Sequence, residues 1–384
     1  MDGPNQTGAP LRMGPLWLDP VPGAELEWWF GQGHVTGAQN RFSIMFALFR
    51  AKVDGIDGSV ILTHLLDETT GRSHLQSRIT PGILAIEDRI ARQVARSCVS
   101  PWLPGLLSLA LSRHRKDVSA LVARHPALTV DPKGLRFGSD PFAASGGGLL
   151  LAHDPSRDLL RLTLPVGEGL GLEAHMPMPP VAMHEDAAGL APGHTADYHY
   201  QCAPALPLTG RIGSDDVTGT LWFDRQWGTL DGWLVQDAAR GKSLLGWDWF
   251  ALSLGPDWHL MLNRHHDRPT GQTHAATTVL FDGDQPIALP QGHEATPLKV
   301  WRSPATGARY PVQWSIHVPD LALDLTLSPR IEDQELPLPG GLSVWEGAAT
   351  FEGTLDGHII EGRARMELAG YAAVLSIRDR LRRR

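Results

Sequence analysis

Cysteine is nearly absent. Cys98 and Cys202 are the only two in 384 residues. They lie far apart and form no Cys-x-x-Cys pair, so a disulfide framework is excluded and a cysteine-held zinc is not expected. A reducing compartment would pose no difficulty. No apolar run reaches the roughly 18–20 residues that span a bilayer. The first twenty residues, broken by Gly, Pro, Asn, Gln and Asp, lack an apolar stretch of signal-peptide length. A soluble, cytoplasmic chain is the expectation. Positive charge is also in deficit: 34 Lys and Arg against 42 Asp and Glu give a net charge of −8. The one basic run is the tail from Arg378 to Arg384, read as a solvated end. Nucleic acid is therefore not an expected partner, because phosphate neutralisation needs clustered cations. A βαβ rhythm, a glycine-rich phosphate loop and a Gly-x-Ser-x-Gly elbow are all missing, which argues against nucleotide chemistry and a serine hydrolase. No pair of histidines has ligand spacing with a third ligand nearby, so neither a metal nor another cofactor is expected.

What the sequence does have is alternation. Arg41 to Arg50 puts Phe42, Ile44, Phe46 and Leu48 on one face, and Ser59 to Asp67 does the same with Val60, Leu62, His64 and Leu66. Further strand-length runs are predicted at 159–165, 169–176, 219–224, 244–254, 258–264, 312–318, 321–327, 345–352 and 362–371, separated by Gly, Pro or Asp turns. Many short strands point to antiparallel barrels or sandwiches. The length suits two domains of about 150–200 residues, and the Pro- and Gly-punctuated stretch from Met176 to Thr195 places the boundary near residue 200, giving domains 1–200 and 201–384. One segment, about 82–123, has helical spacing instead, with Ile83, Ile86, Ile90 and Val94 on one side and Arg89, Arg92 and Arg96 on another. It reads as a helical pair packed on the first barrel; the sharper alternative is a lid over a pocket mouth or a peripheral membrane contact.

Tryptophan is unevenly spread: of thirteen, nine fall from Trp222 onward. They sit in compact motifs: Trp222-Phe223-Asp224-Arg225-Gln226-Trp227-Gly228, Gly246-Trp247-Asp248-Trp249-Phe250 and Trp345-Glu346-Gly347. Glu27-Trp28-Trp29-Phe30 followed by Gly33-His34 stands near the start. With Thr63-His64, Tyr198 to Pro204, Tyr310-Pro311, Gln334-Glu335-Leu336 and Glu367 to Tyr371, these motifs in this order resemble the carotenoid hydratase (hydroxyneurosporene synthase) and AttH-like lipocalin family over almost the whole chain. The resemblance implies an all-β protein of two tandem lipocalin-like domains, with a cavity at or between them for a hydrophobic small molecule such as an isoprenoid or polyene. Activities in that family include hydration of an isolated double bond, hydration of a phytoalexin and pericyclic cyclisation. Three positions depart from its pattern: Gln226 replaces an acidic residue, Arg365 an aromatic one and Asn263 a tyrosine.

Hydrating a plain alkene requires a proton donor, a dry pocket and something to stabilise the cation that forms. A carboxylic acid in an apolar site stays protonated, and tryptophan faces stabilise cations best among the aromatics. Period-two alternation places Trp222 and Asp224 on one strand face, which makes Asp224 the first candidate acid. Asp248, on a face with Phe250 and Leu252, Glu27 beside two tryptophans, and His64 as a positioner of water complete the catalytic candidates. Trp28, Trp29, His34, Tyr198, Trp222, Trp227, Trp247, Trp249 and Glu346 are the candidate lining residues, expected to converge on one cavity. His265-His266 reads as a surface loop. Three functions remain open at this point: a cofactor-free hydro-lyase, a cyclase that works by shaping a polyene, and a lipid carrier without chemistry.

Overall fold

The computed structural model describes residues 11–98, 104–165, 171–179, 182–188, 197–229, 245–268 and 271–372. Two antiparallel sheets carry almost everything. The first has fourteen strands, and through its middle run, in spatial order, Ser73–Ile79, Ile56–Asp67, Arg41–Val53, Leu26–Thr36, Asp215–Gly228, Asp197–Ile212, Gly171–Pro177 and Leu159–Pro165. The second has ten, with Thr273–Asp282, Trp258–Asp267, Leu245–Ser253, His358–Ala369, Val344–Leu355, Leu323–Pro329 and Arg309–Val318 as consecutive neighbours. The expected all-β architecture of two curled antiparallel units holds. The change of sheet falls between Gly228 and Leu245, later than the boundary near residue 200: Asp197–Ile212 and Asp215–Gly228 belong to the first sheet, where the latter pairs with Leu26–Thr36 in full register. Pairing between strands so distant in sequence leaves no local signal.

Three apolar clusters follow from strand alternation. Trp29, Phe46, Leu48, Leu221 and Phe223 fill the first sheet's own core, and Phe250, Trp314, Tyr310, Trp345 and Met366 fill the second's. The third cluster lies between the sheets, joining Trp28, Phe30, Met45, Tyr200 and Trp222 of the first to Trp249, Met261, Phe281 and Val344 of the second. The central strands are thus buried on both faces, which is why Leu26–Thr36 is covered almost without interruption.

The helical insertion appears where its spacing predicts it, as α1 (Pro81–Cys98) and α2 (Pro104–Arg124), each opening on a proline, whose missing N–H costs nothing in the first turn. Ile83, Ile86 and Ile90 are buried in the inter-sheet cluster, so this side of α1 is already covered by packing. Glu87 of α1 pairs with His114 of α2, both buried. Among the described residues no helix is long and apolar enough to cross a membrane.

A buried ion pair ties the N-terminal strands together. Arg225, fully buried, donates to Glu27 Oε2 at 2.5 Å and to the Asp19 carbonyl at 3.1 Å, and its guanidinium lies 4.0 Å from the Trp29 ring. Arg50 meets the other Glu27 oxygen at 3.0 Å. Burial draws Arg225 down to about 10, still cationic at neutral pH. Glu27→Gln should therefore leave a buried, under-compensated guanidinium and cost about 3–5 kcal/mol, measurable as a lower urea midpoint. An unchanged midpoint would show that the pair is not structural.

Candidate active site

The register defines one face on each sheet and turns the two towards each other. On the first sheet, Cys202 stands opposite Asp224, Asp224 opposite Phe30, Gln226 opposite Trp28 and Trp222 opposite Gln32; Gln32 in turn faces Met45, and Met45 faces His64. On the second sheet, Asn263, Trp249, Glu367 and Glu346 form one row across four strands, with Met261, Ala251, Arg365 and Ala348 in the next. Contacts cross the gap. Trp222 meets Trp249 edge-on at 5.4 Å and Phe281 at 5.5 Å, and Arg365 donates from Nε to Gln32 Oε1 and from Nη2 to the Ile44 carbonyl, both at 3.0 Å.

Asp224 sits in this layer, buried. Its Oδ1 accepts from the Trp222 indole N–H at 2.7 Å and from the Tyr200 hydroxyl at 2.8 Å. Burial pushes the carboxyl well above the usual carboxylate range; the two donors oppose this without cancelling it, and nearby Glu367 adds to the rise. Burial therefore biases Asp224 towards its neutral, protonated form. With both donors on Oδ1, its proton belongs on Oδ2.

Two further carboxylates share the space. Burial raises Glu367 to about 7, although its Oε1 accepts from the Trp247 indole at 2.6 Å. Burial also lifts Glu346 well above its ordinary value; Glu367 and Asp224 reinforce the rise and Arg365 opposes it. Arg365 falls to about 10 for the same reason and keeps its charge. Among the described residues several buried polar atoms of this layer have no hydrogen-bond partner: Gln32 Nε2, Arg365 Nη1, Trp249 Nε1, Asn263 Oδ1 and Glu346 Oε2. Buried polar atoms are normally paired, and these five lie in the layer between the sheets.

His64 is also in the layer, near Ser73 Oγ (3.0 Å) and hydrogen-bonded to the Glu346 main chain; burial lowers it to about 3, so it is neutral. His34 lies at the rim, 3.1 Å from Glu68, and burial lowers it to about 4. For Glu68, burial acts upward but is outweighed by hydrogen bonds from His34 and Ser43, and the carboxylate settles at about 2.

The structure thus brings together Asp224, Trp222, Trp28, Trp249, Trp247, Glu346 and His64, with His34 at the edge. It does not bring in the others. Glu27 and Trp29 are on the opposite strand face, inside the first sheet, in contact with Arg225. Trp227 shares that face and stacks on His199 at 5.0 Å. Asp248 points into the second sheet, where it pairs with Arg264 at 2.7 Å and Tyr371 at 2.7 Å. Tyr198 is opposite Gly228 in the backbone register, and its side chain falls outside the described residues. His265 and His266, expected on a surface loop, are buried in the Trp258–Asp267 strand at a register shift. Sequence does not mark Gln32, and it includes Tyr200 and Glu367 only within family motifs and Arg365 only as a departure. Gln32 is a polar residue in phase with Trp28 on a strand otherwise largely apolar, whereas the strands of Tyr200, Arg365 and Glu367 contain no tryptophan to mark the face.

Two cavities meet at Ala205, and Trp222 borders the smaller. One of about 30 Å³ is bordered by Gln32, His34, Trp222, Arg363 and Arg365. The other, about 220 Å³, is lined by Met13, Met178, Met183, Cys202 and Phe281. Ala205, with a positive φ of 54° at the register shift in its strand, borders both.

Because Glu367 titrates higher folded than unfolded, folding binds a proton between about pH 4.5 and 7. Its contribution favours the folded state at low pH and is lost as pH rises through 7. Glu367→Gln should thus gain stability relative to the wild type at pH 8, by up to about 3 kcal/mol, and gain little at pH 4.5. A constant difference in thermal midpoint across that range would contradict this placement.

A family model described as AttH-like matches residues 156–371. A kievitone hydratase of Fusarium solani subsp. phaseoli is 25% identical over 159 residues, which is 41% of this chain and 42% of that enzyme; the match spans less than half of the relative's length. Among solved structures, a protein of Nitrosomonas europaea assigned provisionally to AttH superposes with a TM-score of 0.63 at 22% identity, covering 92% of this chain and 95% of that one. A kievitone hydratase from Nectria haematococca superposes at 0.57 and 14% identity, covering 90% and 89%. These two structural likenesses concern the fold. The family model covers more than half of the sequence, and the chain belongs to the AttH-like family.

Proposed function

We propose that this protein is a hydro-lyase that adds water to, or removes it from, a carbon–carbon double bond of a largely apolar small molecule, with Asp224 as the proton donor and no cofactor. The observation that carries this reading is a buried carboxyl, pushed by desolvation towards its protonated form, whose Oδ1 is fixed by Trp222 and Tyr200 in a layer walled by aromatic and sulfur-bearing side chains. The partial similarity to a kievitone hydratase supports the same reaction class.

In the hydration direction, Oδ2 of Asp224 gives its proton to one alkene carbon and the water oxygen bonds to the other. The proton released by the water passes to a carboxylate; Glu367, poised near 7, suits this role because proton acceptors work best when their pKa lies near the working pH. The remaining aromatic faces, Trp28 and Trp249, hold the hydrocarbon and exclude bulk water.

Asp224→Asn keeps the size of the side chain and removes the transferable proton. Against a panel of isoprenoid olefins and enones, read by mass spectrometry as gain or loss of water, it should lower turnover by about 10²–10⁴-fold with an unchanged circular dichroism spectrum. Turnover retained in Asp224→Asn would remove this acid from the reaction. Cyclised products of unchanged mass would favour a cyclase, and tight binding without any product a carrier.

A further inference from the structure

The reading above leaves open which olefin the site accepts. Arg365 limits the choice. It is buried in the reacting layer, keeps its charge, and crosses from the second sheet to Gln32 and Ile44 of the first. An alkene protonated here would put a carbocation beside a guanidinium in a poorly screened interior, where repulsion is far stronger than in water. The same layer has the opposite aptitude as well. Arg365 Nη1, Gln32 Nε2 and Trp249 Nε1 are buried donors without partners among the described residues. They are grouped around Trp222: Gln32 stands opposite it in register, Trp249 packs on its ring, and Arg365 is bonded to Gln32. The cleft of about 30 Å³ that Gln32, Trp222 and Arg365 border has the volume of one small polar atom rather than of a ring. Donors aimed where negative charge develops make an oxyanion hole.

Resting on the hydratase reading, we infer that the substrate double bond is conjugated to a carbonyl, whose oxygen docks in this cleft on Arg365 and Gln32. The water oxygen then bonds to the β-carbon while its proton passes to the Glu367 carboxylate. The π pair moves through the conjugated system onto the carbonyl oxygen, giving an enolate that these two donors stabilise. As the carbonyl re-forms, the α-carbon takes the proton from Asp224 Oδ2. Transfer of the proton held on Glu367 back to Asp224 completes the cycle, and the net change is one water added. The apolar remainder of the molecule lies towards the 220 Å³ cavity lined by Met183, Cys202 and Phe281, on the far side of Ala205.

The test compares benzylideneacetone, an aryl enone, with the allylic alcohol formed by reducing its carbonyl. Affinity is measured by calorimetry, and the ultraviolet band of the bound enone by difference spectroscopy; carbonyl polarisation moves that band to longer wavelength. The wild type should bind the enone about tenfold or more tightly than the alcohol and shift its band to the red. Gln32→Met and Arg365→Met should each shrink both effects, with Gln32→Met as the variant that preserves shape and leaves the guanidinium in place. Asp224→Asn should keep the affinity and the shift but lose deuterium entry at the vinylic α-position in D₂O. Equal affinity for the two probes with an unshifted band, or binding of neither, overturns the inference whatever the turnover. If shift and selectivity are present but Asp224→Asn still incorporates deuterium, the docking stands and the assignment of Asp224 falls.

Discussion

Desolvation between two packed sheets is the constraint on which the chemistry depends. Asp224, Glu346, Glu367, His64 and Arg365 are withdrawn from water in one layer, and each titrates in the direction that suppresses its charge. An isolated group moved there would simply neutralise. Grouped, they differ: burial lifts Asp224 well above the usual carboxylate range, whereas Glu367 stays near 7, where it can give or take a proton. Two carboxylates held apart in this way can act as acid and base in one turnover.

The layer exists because the central strands of the first sheet have no solvent face. Alternate residues of Leu26–Thr36 and Asp215–Gly228 serve two interiors: Trp29, Phe223 and Arg225 face the first sheet's own core, Trp28, Phe30, Trp222 and Asp224 the second sheet. Glycine makes the pairing close enough. A Cβ at Gly219 would approach the His34 carbonyl oxygen to 1.9 Å, and one at Gly33 the Thr220 carbonyl oxygen to 2.2 Å. The same strands therefore position the acid and support the barrel, and the Glu27–Arg225 pair on their other face fixes their register from behind.

This two-sidedness also decides what the sequence could tell. Strand existence was legible, because period-two patterns and turn residues are local; the runs at 159–165 and 258–264 match observed strands closely. The helical pair was legible for the same reason. Sharing of a face by Trp222 and Asp224 follows from period two and is observed as a hydrogen bond. Which of two buried faces a residue takes is not local. Trp28 and Trp29 are equally apolar neighbours, yet one reaches the inter-sheet layer and the other the barrel core. Asp248 shares its strand with Trp247 and Trp249 but points the opposite way, to Arg264 and Tyr371. Membership of residues 197–228 in the first sheet rests on pairing with Leu26–Thr36, which no window of sequence contains.

Arg365 then takes on a meaning that neither sequence nor fold supplies alone. As a departure from a family's aromatic position it is only a substitution, and as a buried cation it is only a cost. Set beside Gln32, whose Nε2 is likewise unpartnered among the described residues and which borders the same cleft, it becomes the charged member of a donor pair. Partial compensation comes from Glu346 and Glu68, both within Coulombic reach. Glu346 is itself raised by burial and Glu68 is engaged by His34 and Ser43, so neither fully quenches the guanidinium. Arg365 and Trp222 border the same cleft, so the guanidinium's positive field reaches the space beside Trp222. A site arranged in this way lowers the energy of an electron pair arriving on an oxygen and raises that of a positive carbon, so it selects between two routes to the same hydrated product before any substrate shape is considered.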